Sequence, residues 1–360
     1  MNSPPPRIVG RGAVENLPNR FEQVRLEVDL DAMEVGQDED AGPRKIRTEF
    51  YDDDSRSLIR ENQSPDIPFR FSINPYRGCE HGCAYCYART GHETLGWSAG
   101  IDFETKVLVK RNAPTLLRRE LCRPSWKGEV IAVSGYTDCY QPAERAFRVT
   151  RGCIEVFSEA QQAFGIVTKN SVVTRDIDLL APLAKNHLVQ VNLSVTSLDP
   201  ELARKMEPRT AAPATRLRTI RELADAGIPV RVMVSPVVPG LTDHELPNIL
   251  QAARDAGATS SSYQMLRLPL SVEPVFFGWL QEHYPQYRER IENRVRQMHK
   301  GKLYDSQFGQ RMRGSGALAE SIRTTYKAFS RRLGLDRASL PLDTSRFRPP
   351  ADANGQRHLF

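Results

Sequence analysis

Cysteine is scarce in this sequence, with six in 360 residues. That is far too few for a disulfide framework to organise a chain of this length. Long apolar runs are also missing: no stretch approaches the roughly 20 consecutive apolar residues that a membrane-spanning helix needs. The amino-terminal "MNSPPPRIVGRG" has prolines where a secretory signal carries its apolar core. These absences point away from the membrane and from export, and toward a reducing, cytoplasmic setting.

What is present reads as an ordinary globular enzyme, with 40% hydrophobic and 26% charged residues. The length allows one large domain or two smaller ones. The net charge of +6 is unevenly spread. Residues 1–55 carry seven Lys or Arg against thirteen Asp or Glu, a balance of −6 that leaves +12 on the rest. Acidic runs occur at Asp38, Glu39 and Asp40 and again at Asp52, Asp53 and Asp54. A basic body favours contact with nucleic acid or phosphorylated substrates.

Three of the six cysteines fall within one octet of "NPYRGCEHGCAYCYART", at Cys79, Cys83 and Cys86. Their surroundings follow a regular rhythm. "FRFSI" (69–73) reads as a strand that runs straight into the cysteines, and "EVIAVS" (129–134) as a buried parallel strand. A helix follows with Phe147, Ile154, Phe157 and Phe164 on one stripe. Further strands are expected at "FGIVTKN", "LVQVNLSVTS", "IPVRVMVSPV" and "SSYQMLRLP", separated by helices, two of which stop at Gly227 and Gly257. Six strand–helix units predict an α/β fold: a parallel sheet curled as a full or partial barrel, with helices outside.

The domain organisation expected is an acidic, Pro- and Gly-rich extension over 1–62, a core over 63–275 and a helical region over 276–360. The extension either drapes over the body or stays mobile. In the helical region Tyr287, Ile291, Val295 and Met298 form a stripe flanked by Arg288, Arg290, Arg294 and Arg296. Those arginines read as a solvated face, the default for helical charge, with a positive rim beside the active site as the alternative.

Barrels of this kind build their chemistry at the carboxyl ends of the strands, which is where the cysteine loop falls. The spacing C-x3-C-x2-C is unlike structural zinc sites, which use paired C-x2-C units. Cys122, Cys139 and Cys153 stand alone, and only His81 or His92 is near enough in sequence to complete a zinc site. A cubane iron–sulfur cluster held by three thiolates, with one iron left open to a ligand, suits the spacing better.

The segment CEHGCAYC resembles the CxxxCxΦC signature of the radical S-adenosylmethionine superfamily, with Tyr85 at the aromatic position. More narrowly, the chain resembles the spore photoproduct lyase-related, "DNA repair photolyase"-like group. The pieces that carry this are "NPYRGCEHGCAYCYAR", "SGYTDCYQPAE", "VTKN", "NLSVTSLDPELARKMEP", "RVMVSPVVPGLTD" and "QFGQRMRGSGALAE". The resemblance implies a partial (β/α)6 barrel of the radical SAM type. It implies a [4Fe–4S] cluster on Cys79, Cys83 and Cys86 and S-adenosyl-L-methionine bound to the open iron. Reductive cleavage there gives a 5′-deoxyadenosyl radical that abstracts hydrogen, with electrons from a flavodoxin or ferredoxin.

By position, Tyr85, Thr137, Asp138, Lys169 and Ser194 are the expected cofactor-binding residues, with Glu207 and Arg209 as further candidates. Lys169 with Asn170 also reads as a plain turn, and Ser194 as a satisfied core hydroxyl. The related lyase donates a hydrogen atom from a cysteine near the second strand, where this chain has Gly135. Cys139 is the displaced candidate for that catalytic role, and otherwise a small buried hydrophobe; Cys122 and Cys153 are expected to be structural. Substrates weighed are damaged DNA, RNA, a peptide or a small metabolite. Readings of another class are a ferredoxin-like electron carrier and a zinc- or Fe–S-containing nucleic-acid-binding module.

Overall fold

Apolar side chains of short strands generate a sheet whose outer face is sealed by helices. The computed structural model describes residues 8–21, 45–337 and 341–351. Its strands are β1 (Glu49–Asp52), β2 (Arg60–Glu61), β3 (Phe71–Ile73), β4 (Tyr76–Arg77), β5 (Lys106–Val109) and β6 (Ile131–Val133). They continue with β7 (Phe164–Thr168), β8 (Val189–Ser194), β9 (Val230–Val237) and β10 (Ser260–Met265). The large sheet has the order β10-β9-β8-β7-β6-β3-β2, so each barrel strand pairs with the next along the chain. All of these pairs are parallel except β2 with β3. No pairing joins β10 to β2 among the described residues, and the barrel is therefore partial. A small second sheet has the order β1-β5-β4.

Helices fill the crossovers: α1 (Ile101–Thr105) and α2 (Ala113–Leu121) before β6, then α3 (Glu144–Phe147) and α4 (Val149–Ala160) before β7. α5 (Ile177–Lys185) leads to β8, α6 (Pro200–Met206) and α7 (Pro213–Asp225) to β9, and α8 (Leu246–Asp255) to β10. Against them pack Ile73, Ile131, Val133, Phe164, Ile166, Val191, Leu193 and Val232, all fully buried in the main core. The alternate positions Gln190, Asn192, Arg231, Ser262 and Gln264 face the other way and are only half-buried. The interior of the half-barrel is thus polar, while the driving force for folding sits between sheet and helices.

One expectation is corrected. The stripe Phe147–Phe164 is not one helix. Arg148 at φ 51° breaks it into α3 and α4, Gln161 at φ 48° ends α4, and Phe164 opens β7. After Pro269 the described elements are helical, beginning with α9 (Val272–His283), where Phe276, Trp279 and Leu280 are buried. It spans the expected boundary at 275/276 and is followed by α10 (Arg288–Met298) and α11 (Gly316–Arg332). Finally, β1 and β2 lie within the acidic extension, and β2 extends the main sheet. The acidic run Asp38–Asp40 lies outside the described residues.

The arginines of α10 divide. Ile291, Val295 and Met298 form its buried stripe, while Arg290 donates to the Gly240 carbonyl (2.6 Å) and Arg294 lies 3.4 Å from Asp243. Both of those partners sit in the loop that leaves the carboxyl end of β9.

Candidate active site

The cysteine loop leaves β3 through the two-residue β4 and turns back beneath the barrel mouth. Gly82 takes φ 64°, and a side chain there would bring its Cβ to 2.5 Å from Glu104 Oε2, so the loop needs glycine at that point. The Cys79 amide donates to the Phe103 carbonyl of α1 (2.9 Å), and the Cys86 amide to the Cys83 carbonyl (3.2 Å). Cys79 and Cys83 are buried, Cys86 is half-buried, and all three are free thiols. Their neighbours are Ala84, Ala88 and Phe103.

Every residue between the cysteines has its own anchor. Glu80 accepts from Thr48 (2.9 Å) and pairs with Arg209 (3.0 Å). Arg209 also donates its backbone amide to the His81 carbonyl (3.3 Å). His81 holds Asp138 through Nδ1 (3.3 Å) and takes the Asn170 side-chain amide on Nε2 (3.1 Å). The amide nitrogen can only donate, so Nε2 is the acceptor there and Nδ1 is the atom that faces Asp138. Ala84 donates its amide to the Met206 carbonyl (3.0 Å). The Tyr85 hydroxyl bonds the buried Glu207 carboxylate, whose other oxygen pairs with Arg216.

The strand ends converge on this loop. After β6, Asp138 accepts from the Tyr140 amide, the Thr168 hydroxyl and the Lys169 amide, each at 2.8 Å. Burial acts to raise the Asp138 pKa, but His81 and these donors outweigh it and hold the carboxyl below its usual value. Thr137 is buried, and its hydroxyl donates to the Tyr76 carbonyl (2.6 Å). After β7, the Lys169 ammonium lies 5.9 Å from the centre of the Tyr85 ring. At the end of β8, Ser194 donates to the Ser235 carbonyl (3.0 Å), and its own carbonyl accepts from Arg216 (3.1 Å).

The electrostatics place these groups in one field. Burial pushes the Cys79 thiol well up, and Asp138, Cys86 and Cys83 add to the rise. Burial also raises Cys83, with Glu207 adding and Lys169 opposing, and it raises Cys86 against the pull of Arg89. For Glu207, burial is outweighed by Arg216 and Lys169, so its carboxyl stays ionised below its ordinary range. Lys169 is the cation common to Cys83, Cys86 and Glu207.

Tyr85, Thr137, Asp138, Lys169 and Ser194 are therefore brought together with the cysteine triplet. Cys139 is not. Its thiol has no exposed surface, and it packs in the main core with Tyr76, Tyr140 and Cys153. Cys153 is equally sealed within α4, and Cys122 contacts the Pro350 carbonyl at 3.3 Å. His92 is also remote from any ligand role shared with His81. It is buried against Trp97 (5.2 Å) and Phe103 (5.6 Å), and neither ring nitrogen has a hydrogen-bond partner among the described residues.

Sequence reasoning missed His81 as a bridge, and with it Asn170, Arg216, Arg89 and Glu104. One signal was available for Arg216: it falls on the stripe of α7 occupied by Ile220 and Leu223, where a charge must have a buried partner.

The donor set suits a cubane cluster. Three thiols stand in an apolar, water-poor loop with a lysine facing them, and the remaining cysteines are committed elsewhere. Among the described residues no three His, Cys, Asp or Glu side chains gather at the spacing of a single metal ion. A cubane asks for one thiolate per iron, so its ligands stand further apart.

Comparison with known proteins agrees with this geometry. The family model of the Radical SAM superfamily matches residues 73–253, half of the chain. An uncharacterised protein of Mycobacterium tuberculosis is 40% identical over 229 residues, covering 62% of this chain and 67% of that one. A radical SAM Nalpha-GlyT isomerase of Pseudomonas phage M6 is 27% identical over 197 residues, 54% of this chain and 39% of that one. Among solved structures, spore photoproduct lyase complexed with dinucleoside spore photoproduct matches with a TM-score of 0.57 and 16% identity, covering 79% of each chain.

Proposed function

This chain belongs to the radical SAM superfamily and is a radical SAM enzyme, and from that premise we propose the division of labour at its barrel mouth. Cys79, Cys83 and Cys86 would hold a [4Fe–4S] cluster and, with it, S-adenosyl-L-methionine. With an electron from a flavodoxin or ferredoxin, the two groups would supply reductive cleavage to methionine and a 5′-deoxyadenosyl radical for hydrogen abstraction. The observation that carries the reading is the gathering of three free thiols, two buried and one half-buried, just past the first barrel strand with every intervening residue anchored.

The chain's own residues supply position and dryness. Lys169 is the cation that faces the thiols, and it is our candidate for the cofactor carboxylate. Tyr85 is fixed through Glu207 and Arg216 and presents its ring to that lysine. Asp138 and Thr137 have their polar atoms taken up within the protein, so we assign them to holding the loops, and Ser194 to joining β8 with β9. By the resemblance, Gly135 falls near the place where the related lyase has its hydrogen-donating cysteine, and we propose that this chain closes its cycle differently from that lyase.

For the substrate we propose a nucleic acid presenting an exposed base. Tyr87 and Tyr136 stand at the rim in a T-shaped pair (5.8 Å), both more than a third exposed, and Arg267 lies over the Tyr87 ring (4.8 Å). Aromatic faces beside a cation suit base stacking with a phosphate nearby. The similar fold of a lyase complexed with a dinucleoside photoproduct supports the same class. The test is anaerobic incubation of the reconstituted, reduced enzyme with ultraviolet-damaged and thymine-modified DNA, with RNA and peptides alongside, reading 5′-deoxyadenosine and altered nucleosides. Turnover of peptide alone would overturn the substrate reading and leave the cofactor chemistry intact.

A further inference from the structure

The back of the cysteine loop is covered by a segment far from it in sequence. Arg89 is fully buried, and every donor of its guanidinium is directed at protein oxygen. Nε and Nη2 both reach the Cys83 carbonyl (3.1 and 2.9 Å), Nη1 reaches the Ala99 and Gly100 carbonyls (3.0 and 2.9 Å), and Nη2 pairs with Glu104 (2.5 Å). Glu104 is fully buried too. Its carboxylate takes its remaining hydrogen bonds from the backbone amides of Gly12 (3.0 Å) and Ala13 (2.8 Å). Arg11 closes the arrangement by donating to the Glu104 carbonyl (2.7 Å) and to the Ile46 carbonyl (2.7 Å). Gly12 lies directly on Gly82, since a Cβ at Gly12 would stand 1.7 Å from the Gly82 carbonyl oxygen and 3.2 Å from the Ala84 amide nitrogen.

We infer that residues 11–13 form a clamp that fixes the cysteine loop from behind, which makes Gly12, Arg89 and Glu104 positioning residues for the cluster. A buried ion pair is held only while its surplus lone pairs are satisfied. The two amides of the amino-terminal segment satisfy Glu104, Glu104 holds Arg89, and Arg89 holds the Cys83 carbonyl. Loosening any link frees the central cysteine of the triplet. Residues 11–13 are on this account part of the cluster site. The inference rests on the reading that Cys79, Cys83 and Cys86 hold the cluster.

The test uses the full chain with Gly12→Ala, Gly12→Val and Glu104→Gln, reconstituted anaerobically. Two quantities are read: the rate of cluster loss to a chelator, and the rate at which iodoacetamide labels Cys83 in the metal-free protein. The clamp predicts that Gly12→Val loses its cluster about tenfold faster or more, the scale found for outer residues of metal sites. It predicts faster Cys83 labelling in the metal-free chain, with Gly12→Ala in between. Glu104→Gln keeps the side-chain shape and decides the matter if Gly12→Val does not fold; it too should speed both rates. Wild-type rates in Gly12→Val or in a folded Glu104→Gln variant overturn the clamp. The triple Cys79, Cys83 and Cys86→Ala variant is the control. If it keeps the cluster absorption, the ligand reading itself fails, a result distinct from failure of the clamp.

Discussion

Arg216 and Glu207 are both essentially without exposed side-chain surface, and each is the other's charged partner. Removing one member of a buried pair leaves an uncompensated charge, which costs about 3–5 kcal/mol. Arg216→Met should therefore lower the unfolding free energy by that order in a urea titration. Adding Glu207→Gln to the same chain should recover part of it; a single variant as stable as wild type would contradict the pairing. His92 gives a pH signature. Burial lowers its pKa from 6.5 to about 4, with Asp102 opposing and Arg89 and Lys106 adding to the drop. Between those two values the unfolded chain binds a proton that the native one does not, so stability falls as pH drops from about 6.5 to about 4 and is whole above that window. His92→Phe should flatten the melting temperature across the window, and an unchanged slope would exclude His92 as its source. At Cys139 the thiol packs in the core, so Cys139→Ala should lower stability and leave cofactor cleavage unaltered. Changed products from a folded variant would instead make it the hydrogen donor. The cysteine triplet is legible in the sequence because spacing alone distinguishes it. The anchors Asn170, Arg89 and Glu104 are not, because each acquires its partner only when distant segments meet.

At the scale of elements, the six parallel strands are legible: five carry apolar or β-branched residues that reach the main core, and β10 follows from the strand–helix rhythm, with Tyr263 and Met265 facing that core. The sheet of β1, β4 and β5 is not. Its strands are two to four residues long, too short to carry a period. Nor is the strap that spans the open side of the half-barrel. The Met265 amide at the end of β10 donates to the Met312 carbonyl (2.9 Å), and one residue earlier Arg311 pairs with Asp66 beside β2 (2.5 Å). One segment thus touches both edges of the sheet. Arg311 holds the Asp66 carboxyl down to about 2, with Ser64 and the Gly309 amide helping. A lowered carboxyl pKa contributes stability that is present above about 4 and is lost as pH falls through about 2. Asp66→Asn should remove that contribution and increase hydrogen exchange in residues 307–314 at neutral pH. Exchange identical to wild type would show that the strap is held by other contacts.

For the molecule as a whole, charge is the property that composition conveys best and structure refines. The body beyond residue 55 carries the positive excess, and no described helix is long and apolar enough to cross a membrane. Affinity for nucleic acid should therefore fall steeply with added salt, as counterion release requires, measured by fluorescence anisotropy of a labelled single strand. Binding that ignores salt would remove electrostatics from the substrate argument. The central claim is narrower and is reached by one measurement: reduction of the anaerobically reconstituted protein with S-adenosyl-L-methionine, compared with the triple Cys79, Cys83 and Cys86→Ala variant. The account predicts about four irons per wild-type chain, as a cubane requires, with methionine and 5′-deoxyadenosine released, and neither iron nor cleavage in the variant. Cofactor cleavage by the variant, or a full iron content without those cysteines, would contradict it.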